Sequence, residues 1–178
     1  RLQQEMQQEL ENILDYWMRC TPDHQQGGFY GRVDNVNHPD RSAPKGSVLH
    51  ARILWTFAAA WLQQPRDEYK AIAQRAYDYI QTKLTDSAYG GVFWTVDHLG
   101  EPLDTKKQIY ALAFTLYAFT AWHRCSGLEA VKQQAINLYR LIEQYSYDAA
   151  RGGYFEAFSR EWQPIADLRL SAKDANEK

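Results

Sequence analysis

A Gly-Gly-aromatic step recurs three times at even spacing: Gly27-Gly28-Phe29-Tyr30, Gly90-Gly91-Val92-Phe93-Trp94 and Gly152-Gly153-Tyr154-Phe155-Glu156. The leading glycines lie 63 and 62 residues apart. A period of that length holds two helices and a loop, and each unit must bury its apolar face on its neighbours. In every copy helical pattern precedes the glycines and strand-like pattern follows them.

The helices are of two alternating kinds. Leu2, Met6, Leu10, Ile13, Leu14 and Trp17 lie at helical spacing among Gln and Glu, which gives one buried stripe ending before Pro22. The stretch 27–34 alternates and reads as a short strand. Ala43-Pro44-Lys45-Gly46-Ser47 supplies turn and N-cap chemistry for a second helix over 47–63. That helix is apolar around nearly its whole circumference and is expected to be buried all round. The third helix, 67–84, is again one-sided. A hairpin follows, with one arm over 92–96 and a turn at His98-Leu99-Gly100. The fourth helix, 105–124, is apolar all round, the fifth, 128–145, is one-sided, and a third hairpin runs from Tyr154 to Asp167.

Such alternation is what two concentric rings of helices require. Outer helices show one face to water, and inner helices touch neighbours on every side. Each hairpin follows an outer helix and precedes an inner one, so the hairpins gather at one end, over the inner-helix N-termini. Those N-termini offer free N–H groups and partial positive charge. Five helices with a sixth about to begin make an arc rather than a closed ring. The 178 residues are read as a single all-α domain, 1–178, forming part of a toroid and cut short at its C-terminal end.

Bulk properties exclude several functions. A formal net charge of −2 offers nothing to a polyanion, so nucleic acid is not an expected partner. The apolar stretch 48–62 carries His50 and Arg52 and is too short to span a bilayer. Cys20 and Cys125 have no metal or redox spacing and fit a reducing compartment. The Gln-rich start is not a secretory signal, which favours the cytoplasm, although Arg1 is not a start methionine. No metal-ligand spacing, phosphate loop or nucleophile elbow is present. Aromatic residues make up 14% of the chain, which fills a core or walls a pocket for the apolar C–H faces of sugar rings.

Arg52 stands out, because it lies in the first two turns of an apolar inner helix near the hairpin end. A buried guanidinium is costly unless it is paired or faces a wet cavity. It either pairs with a loop carboxylate such as Asp34 or Asp104, or aims into the mouth and stabilises an oxyanion. Tyr110 holds the matching place on the next inner helix, with its hydroxyl either on substrate or satisfied in the core. Trp55, Trp94 and Phe114 are sugar platforms or core, with core the better reading for Trp55. His50 is two residues from Arg52, about 200° around the helix, and is read as structural. Glu156, Glu161, Asp167 and Asp174 cluster around the third hairpin. They are more often solvated or capping than paired for hydrolysis.

Several strings resemble a known family: residues 27–34 (GGFYGRVD), Pro44-Lys45-Gly46, 51–57 (ARILWTF), 100–108 (GEPLDTKKQ), Arg160-Glu161-Trp162 and 170–176 (LSAKDAN). Together they are similar to the cellobiose 2-epimerases of the wider N-acylglucosamine 2-epimerase superfamily. The resemblance implies a barrel of six helical hairpins, an (α/α)6 fold. It implies cofactor-free C2 epimerisation of the reducing-end glucose of β-1,4-linked disaccharides such as cellobiose, lactose or mannobiose, through ring opening and a cis-enediolate. Arg52 then steadies the enediolate oxygen, and Tyr110 and Asp174 line the site. The acid–base histidines that the resemblance implies lie after Lys178, so the chain alone is expected to be inactive. Aldose–ketose isomerisation and N-acylglucosamine epimerisation remain alternatives, as do a glycoside hydrolase on a similar barrel and a non-catalytic sugar-binding module. A hydrolase would need two carboxylates about 5–9.5 Å apart across one cavity.

Overall fold

The computed structural model describes residues 1–170. Its helices are α1 (Leu2–Cys20), α2 (Ser47–Gln63), α3 (Asp67–Tyr79), α4 (Ile109–Ser126) and α5 (Glu129–Ser146). The strands are short: β1 (Lys45–Gly46), β2 (Thr95–Val96), β3 (Pro102–Asp104), β4 (Lys107–Gln108) and β5 (Ala157–Phe158). Helix α3 continues through one π-helical turn, Ile80–Leu84, where the Thr85 N–H reaches back to the Ile80 carbonyl at 2.9 Å. Helix α4 stops at Gly127, whose left-handed φ of 70° lets its N–H return to the His123 carbonyl.

Two layers result. Helices α2 and α4 pack on each other, with α3 against α2 and α5 against α4. Ala51, Ala58, Ala111 and Ala118 are fully buried, and side chains that small let helix axes come close. Leu54, Phe57, Ile80, Leu112, Phe119 and Trp122 fill the core. Helix α1 docks through Leu14, with Trp17 and Met18 packed behind it. It leaves a groove of about 740 Å³ against α2, lined by Leu10, Leu14, Trp55 and Ala59. Leu2 and Met6 on the same stripe are exposed.

The inner helices are not buried all round. Arg52, Trp55, Tyr110 and Tyr117 form an open face, with Trp55 36% and Tyr117 52% exposed. Apolar composition on every side of a helix records contact with neighbours and with the ring's interior alike, and here that interior is open.

The repeat is carried by a loop with one hydrogen-bond plan. Asp23, Asp86 and Asp148 each receive the N–H of the residue four on, Gly27, Gly90 and Gly152, at 2.8–3.0 Å. Their own N–H groups reach the carbonyls of Gly28, Gly91 and Gly153, each at 3.0 Å. Each carboxylate also accepts backbone N–H groups two and three residues on, an Asx turn. Both glycines are left-handed in all three copies, a conformation closed to most side chains. At Gly28 a Cβ would also lie 2.6 Å from the His50 ring and 2.6 Å from that of Tyr79.

The hairpins are tied together across units. Instead of one continuous strand, the stretch 27–34 makes only isolated bridges, Pro22 to Phe29 and Val33 to Pro39. Strand β1 pairs antiparallel with β2, and β2 with β3. Strand β4 pairs with β5 in the same way. Each lead-in to an inner helix is therefore held by the hairpin of the following unit. Ser47 does not cap α2 as expected. Its N–H and hydroxyl both go to the Trp94 carbonyl, at 3.1 and 3.2 Å. The Ile109 N–H similarly goes to the Glu156 carbonyl at 2.9 Å, so the first donor of each inner helix is already occupied.

Candidate functional site

Arg52 and Tyr110 meet on one ring. The Arg52 guanidinium carbon lies 5.9 Å from the Phe114 centroid, within cation–π range, and the Tyr110 ring lies 4.8 Å from the same centroid. Residues 110 and 114 are one turn apart on α4, and the packing of α2 on α4 adds Arg52 to them. Of the two alternatives for Arg52, carboxylate pairing does not occur: Asp34 sits by His38 and Asp104 by Lys106, and among the described residues no carboxylate pairs with Arg52. The guanidinium is exposed on the inner face rather than buried, so its donors are free to meet a ligand. Tyr110 is 42% exposed beside it.

Trp94 lies at the N-terminal end of α2, half-buried, with the Lys106 ammonium 5.7 Å from its ring. Trp55 lies one turn deeper than Arg52 and stacks on Tyr117 at 5.2 Å rather than entering the sealed core. Asp174 lies outside the described residues. The other hairpin carboxylates are engaged separately: Glu161 accepts the Ser159 hydroxyl, Asp167 takes Arg169, and Glu156 is exposed. Among the described residues no cluster of three metal-ligating side chains occurs.

His50 is structural. Its ring is fully buried and stacks on Tyr79 at 4.6 Å. Nδ1 faces the Gly46 carbonyl at 2.9 Å, and Nε2 accepts the Phe29 N–H at 3.2 Å. Only a neutral ring protonated on Nδ1 satisfies both, and burial pushes the imidazole down to about 4. The unfolded chain therefore binds the extra proton more readily, and stability falls as pH drops from about 6.5 towards 4. Between pH 7.5 and 5 the wild type is expected to lose about 2 kcal/mol that His50→Gln does not lose. Urea unfolding at the two pH values checks this, and equal losses in both proteins would contradict it.

At the hairpin end lie two buried ion pairs that the sequence pattern did not reveal. Lys45 Nζ meets Asp23 at 2.8 Å, and Lys107 Nζ meets Asp86 at 2.7 Å, with all four side chains inaccessible or nearly so. Each lysine ends the lead-in to an inner helix, and each aspartate opens a Gly-Gly loop. The signal was present as an Asp four residues before each Gly-Gly step and as lysines 62 residues apart.

The comparisons with known proteins agree with this geometry. A family model described as N-acylglucosamine 2-epimerase (GlcNAc 2-epimerase) matches residues 4–173. A cellobiose 2-epimerase from Bacteroides fragilis is 48% identical over 99% of this chain and 45% of its own length. One from Ruminococcus albus is 38% identical over 94% of this chain and 42% of its own. A crystal structure of a sugar epimerase from a ruminal bacterium superposes with a TM-score of 0.90 at 36% identity, covering 97% of this chain and 44% of that one. A family 76 glycoside hydrolase superposes at 0.72 with 19% identity, which is a likeness of fold alone. The chain thus spans less than half the length of the curated relatives it matches, and its neighbours place its helices within an α/α-barrel. With a match from residue 4 to residue 173, the chain belongs to the N-acylglucosamine 2-epimerase family.

Proposed function

We propose that the protein carrying this chain inverts C2 of the reducing-end glucose in β-1,4-linked disaccharides. The observation that carries the reading is the meeting of Arg52 and Tyr110 on Phe114, at the hairpin end of a chain 48% identical to a cellobiose 2-epimerase. Removing the C2 proton of the open-chain sugar sends charge to the C1 oxygen and forms an enediolate. A guanidinium has donors only, so Arg52 suits the oxyanion and supplies no base. Tyr110 adds a hydroxyl, and Phe114 offers an apolar surface to the sugar's C–H face. Trp94 is assigned to the rim of the same site and Trp55 to its floor, and the resemblance adds Asp174 to the residues that line it. The resemblance assigns proton removal and return to histidines after Lys178, and the five histidines of this chain take no part.

A D-mannose isomerase from Marinomonas mediterranea, 25% identical over 90% of this chain, keeps aldose–ketose isomerisation as the second reading. Both reactions pass through the enediolate and differ in where the proton returns. Cys20 and Cys125 are unpaired, which supports a reducing compartment such as the cytoplasm. Among the described residues no helix is long and apolar enough to cross a membrane.

The test is turnover of cellobiose, lactose and mannobiose by the full-length protein in heavy water. Deuterium is expected at C2, together with the C2 epimer. A ketose without the epimer would favour isomerisation. Turnover of N-acetylglucosamine alone, with no exchange in any disaccharide, would overturn the substrate assignment.

A further inference from the structure

The carboxylate of the second Gly-Gly loop holds more charged side chains than its counterpart in the first unit. Asp86 receives Lys107 Nζ at 2.7 Å, and Arg160 grips the same carboxylate with Nε at 2.9 Å and Nη2 at 3.1 Å. The Arg160 guanidinium lies 5.4 Å from the Tyr89 centroid and 5.2 Å from that of Phe93, and Lys107 sits 5.4 Å from Phe93. Trp162 closes the cluster by donating its indole N–H to the Tyr89 carbonyl and stacking on Tyr145 at 4.4 Å. Its φ of 64° falls at the hairpin position where the earlier units have Gly100 and Asn37. A bulky side chain in that region is strained, and packing this dense is what holds it there.

In the first unit the Asp23 carboxylate receives Lys45 alone among charged side chains, and Arg75 donates instead to the backbone carbonyls of Asp23 and Gly28. The residue 62 before Arg160 is His98, which shares a cavity of about 290 Å³ with Asp23. The three-way centre therefore belongs to the inner helix that carries Tyr110 and Phe114. Burial alone would raise the Asp86 carboxyl, but the hydrogen bonds from Arg160 and Lys107 outweigh it and hold it well below the usual carboxylate range.

We propose that Asp86, Lys107 and Arg160 form a positioning centre that fixes the start of α4, and with it the placement of Tyr110 and Phe114 against Arg52. The inference rests on the proposed epimerase reading. Its geometry is direct. Lys107 is in β4, two residues before the helix, and Arg160 follows β5, the strand paired with β4. One carboxylate thus ties the Gly-Gly loop, the helix lead-in and the next hairpin into one body. Catalysis by positioned groups is sensitive to displacements of about 1 Å, so loosening this body is expected to act on kcat more than on KM.

Asp86 variants strand a buried lysine and risk unfolding, so the test uses half-exposed Arg160 in the full-length protein. Arg160→Leu is expected to lower kcat about tenfold with KM changed less than about threefold, and Arg160→Lys to recover most of the loss. Amide hydrogen exchange is expected to quicken at residues 109–112 and to stay unchanged at residues 47–51, which Asp23 holds. Val131→Ala on α5, buried and remote from the cluster, serves as a control for destabilisation. Unchanged kcat in Arg160→Leu would overturn the proposal. So would an equal loss of kcat in Val131→Ala at matched Tm. If the wild type shows no C2 exchange, the epimerase reading fails by itself. The hydrogen-exchange arm then decides the clamp, and unchanged protection at 109–112 overturns it.

Discussion

Arg52→Ala is expected to lower kcat for C2 epimerisation by about a hundredfold or more in the full-length protein, the scale seen when one oxyanion donor is lost. The helix of Arg52 is pinned by Lys45 in the lead-in and by the Trp94 carbonyl at its first residue, so the guanidinium projects from a fixed backbone. It has no carboxylate to satisfy among the described residues and lies against Phe114 on an open face. A group so placed contributes little to folding, and truncation is expected to move Tm by only a degree or two. KM is expected to change little, because the charge proposed for Arg52 to meet develops only in the transition state. Arg52→Lys is expected to recover part of the loss, since an ammonium keeps the charge and gives up the planar fork. Rates measured with cellobiose for the wild type and both variants decide it. Unchanged epimerisation by Arg52→Ala would assign Arg52 to structure and move the oxyanion site elsewhere.

The positions of the candidate residues in the fold were legible because the constraint on them is periodic. One-sided and all-round apolar helices can be told apart in the sequence, and their alternation set Arg52 and Tyr110 early on neighbouring inner helices, where the structure has them. The pairing of these two through Phe114 was not legible. Apolar pattern does not distinguish an aromatic facing a neighbour from one facing the interior of a ring, and so Trp55 and Tyr117 also read as core. The strands escaped for a different reason. Two-residue segments such as Lys107–Gln108 carry no alternation, and their partners lie about 50 residues away in the next unit. The lysines were hidden by their context. In Ala43-Pro44-Lys45-Gly46-Ser47 a lysine beside proline and glycine looks like a solvated turn, and only the aspartate 22 residues upstream explains its burial. Lysine is rarely buried without a partner, and a partner 22 residues away is not visible in a local window.

Asp23→Ala is expected to destabilise the chain by about 3–5 kcal/mol, the cost of leaving a buried charge without its partner. For a domain of this size that corresponds to a fall in Tm of roughly 6–20 °C. The substitution removes more than an ion pair. Asp23 accepts the N–H groups of Gln25 and Gln26, so its loss also opens the turn that sets the left-handed glycines. Lys45 would keep a bond to the Gly27 carbonyl at 2.8 Å and the Tyr79 ring at 5.1 Å, with no other hydrogen-bond acceptor among the described residues for a fully buried ammonium. Lys45→Met is expected to cost less. The carboxylate it leaves keeps two backbone donors, and a carboxyl can neutralise itself by taking a proton. The double variant Asp23→Ala/Lys45→Met is then expected to be more stable than Asp23→Ala alone, because deleting the stranded charge relieves the penalty that the first substitution created. Urea unfolding of the four proteins gives the coupling directly. An additive cycle, with the double variant the least stable of the four, would show that Asp23 acts through its turn and that the buried pair contributes nothing of its own. A recovered double variant would mean that the pair is a two-part lock: the loop supplies the carboxylate, the helix lead-in supplies the ammonium, and neither is tolerated in the core without the other. That lock is what keeps the first turns of α2, and therefore Arg52, in register with the hairpin that covers them.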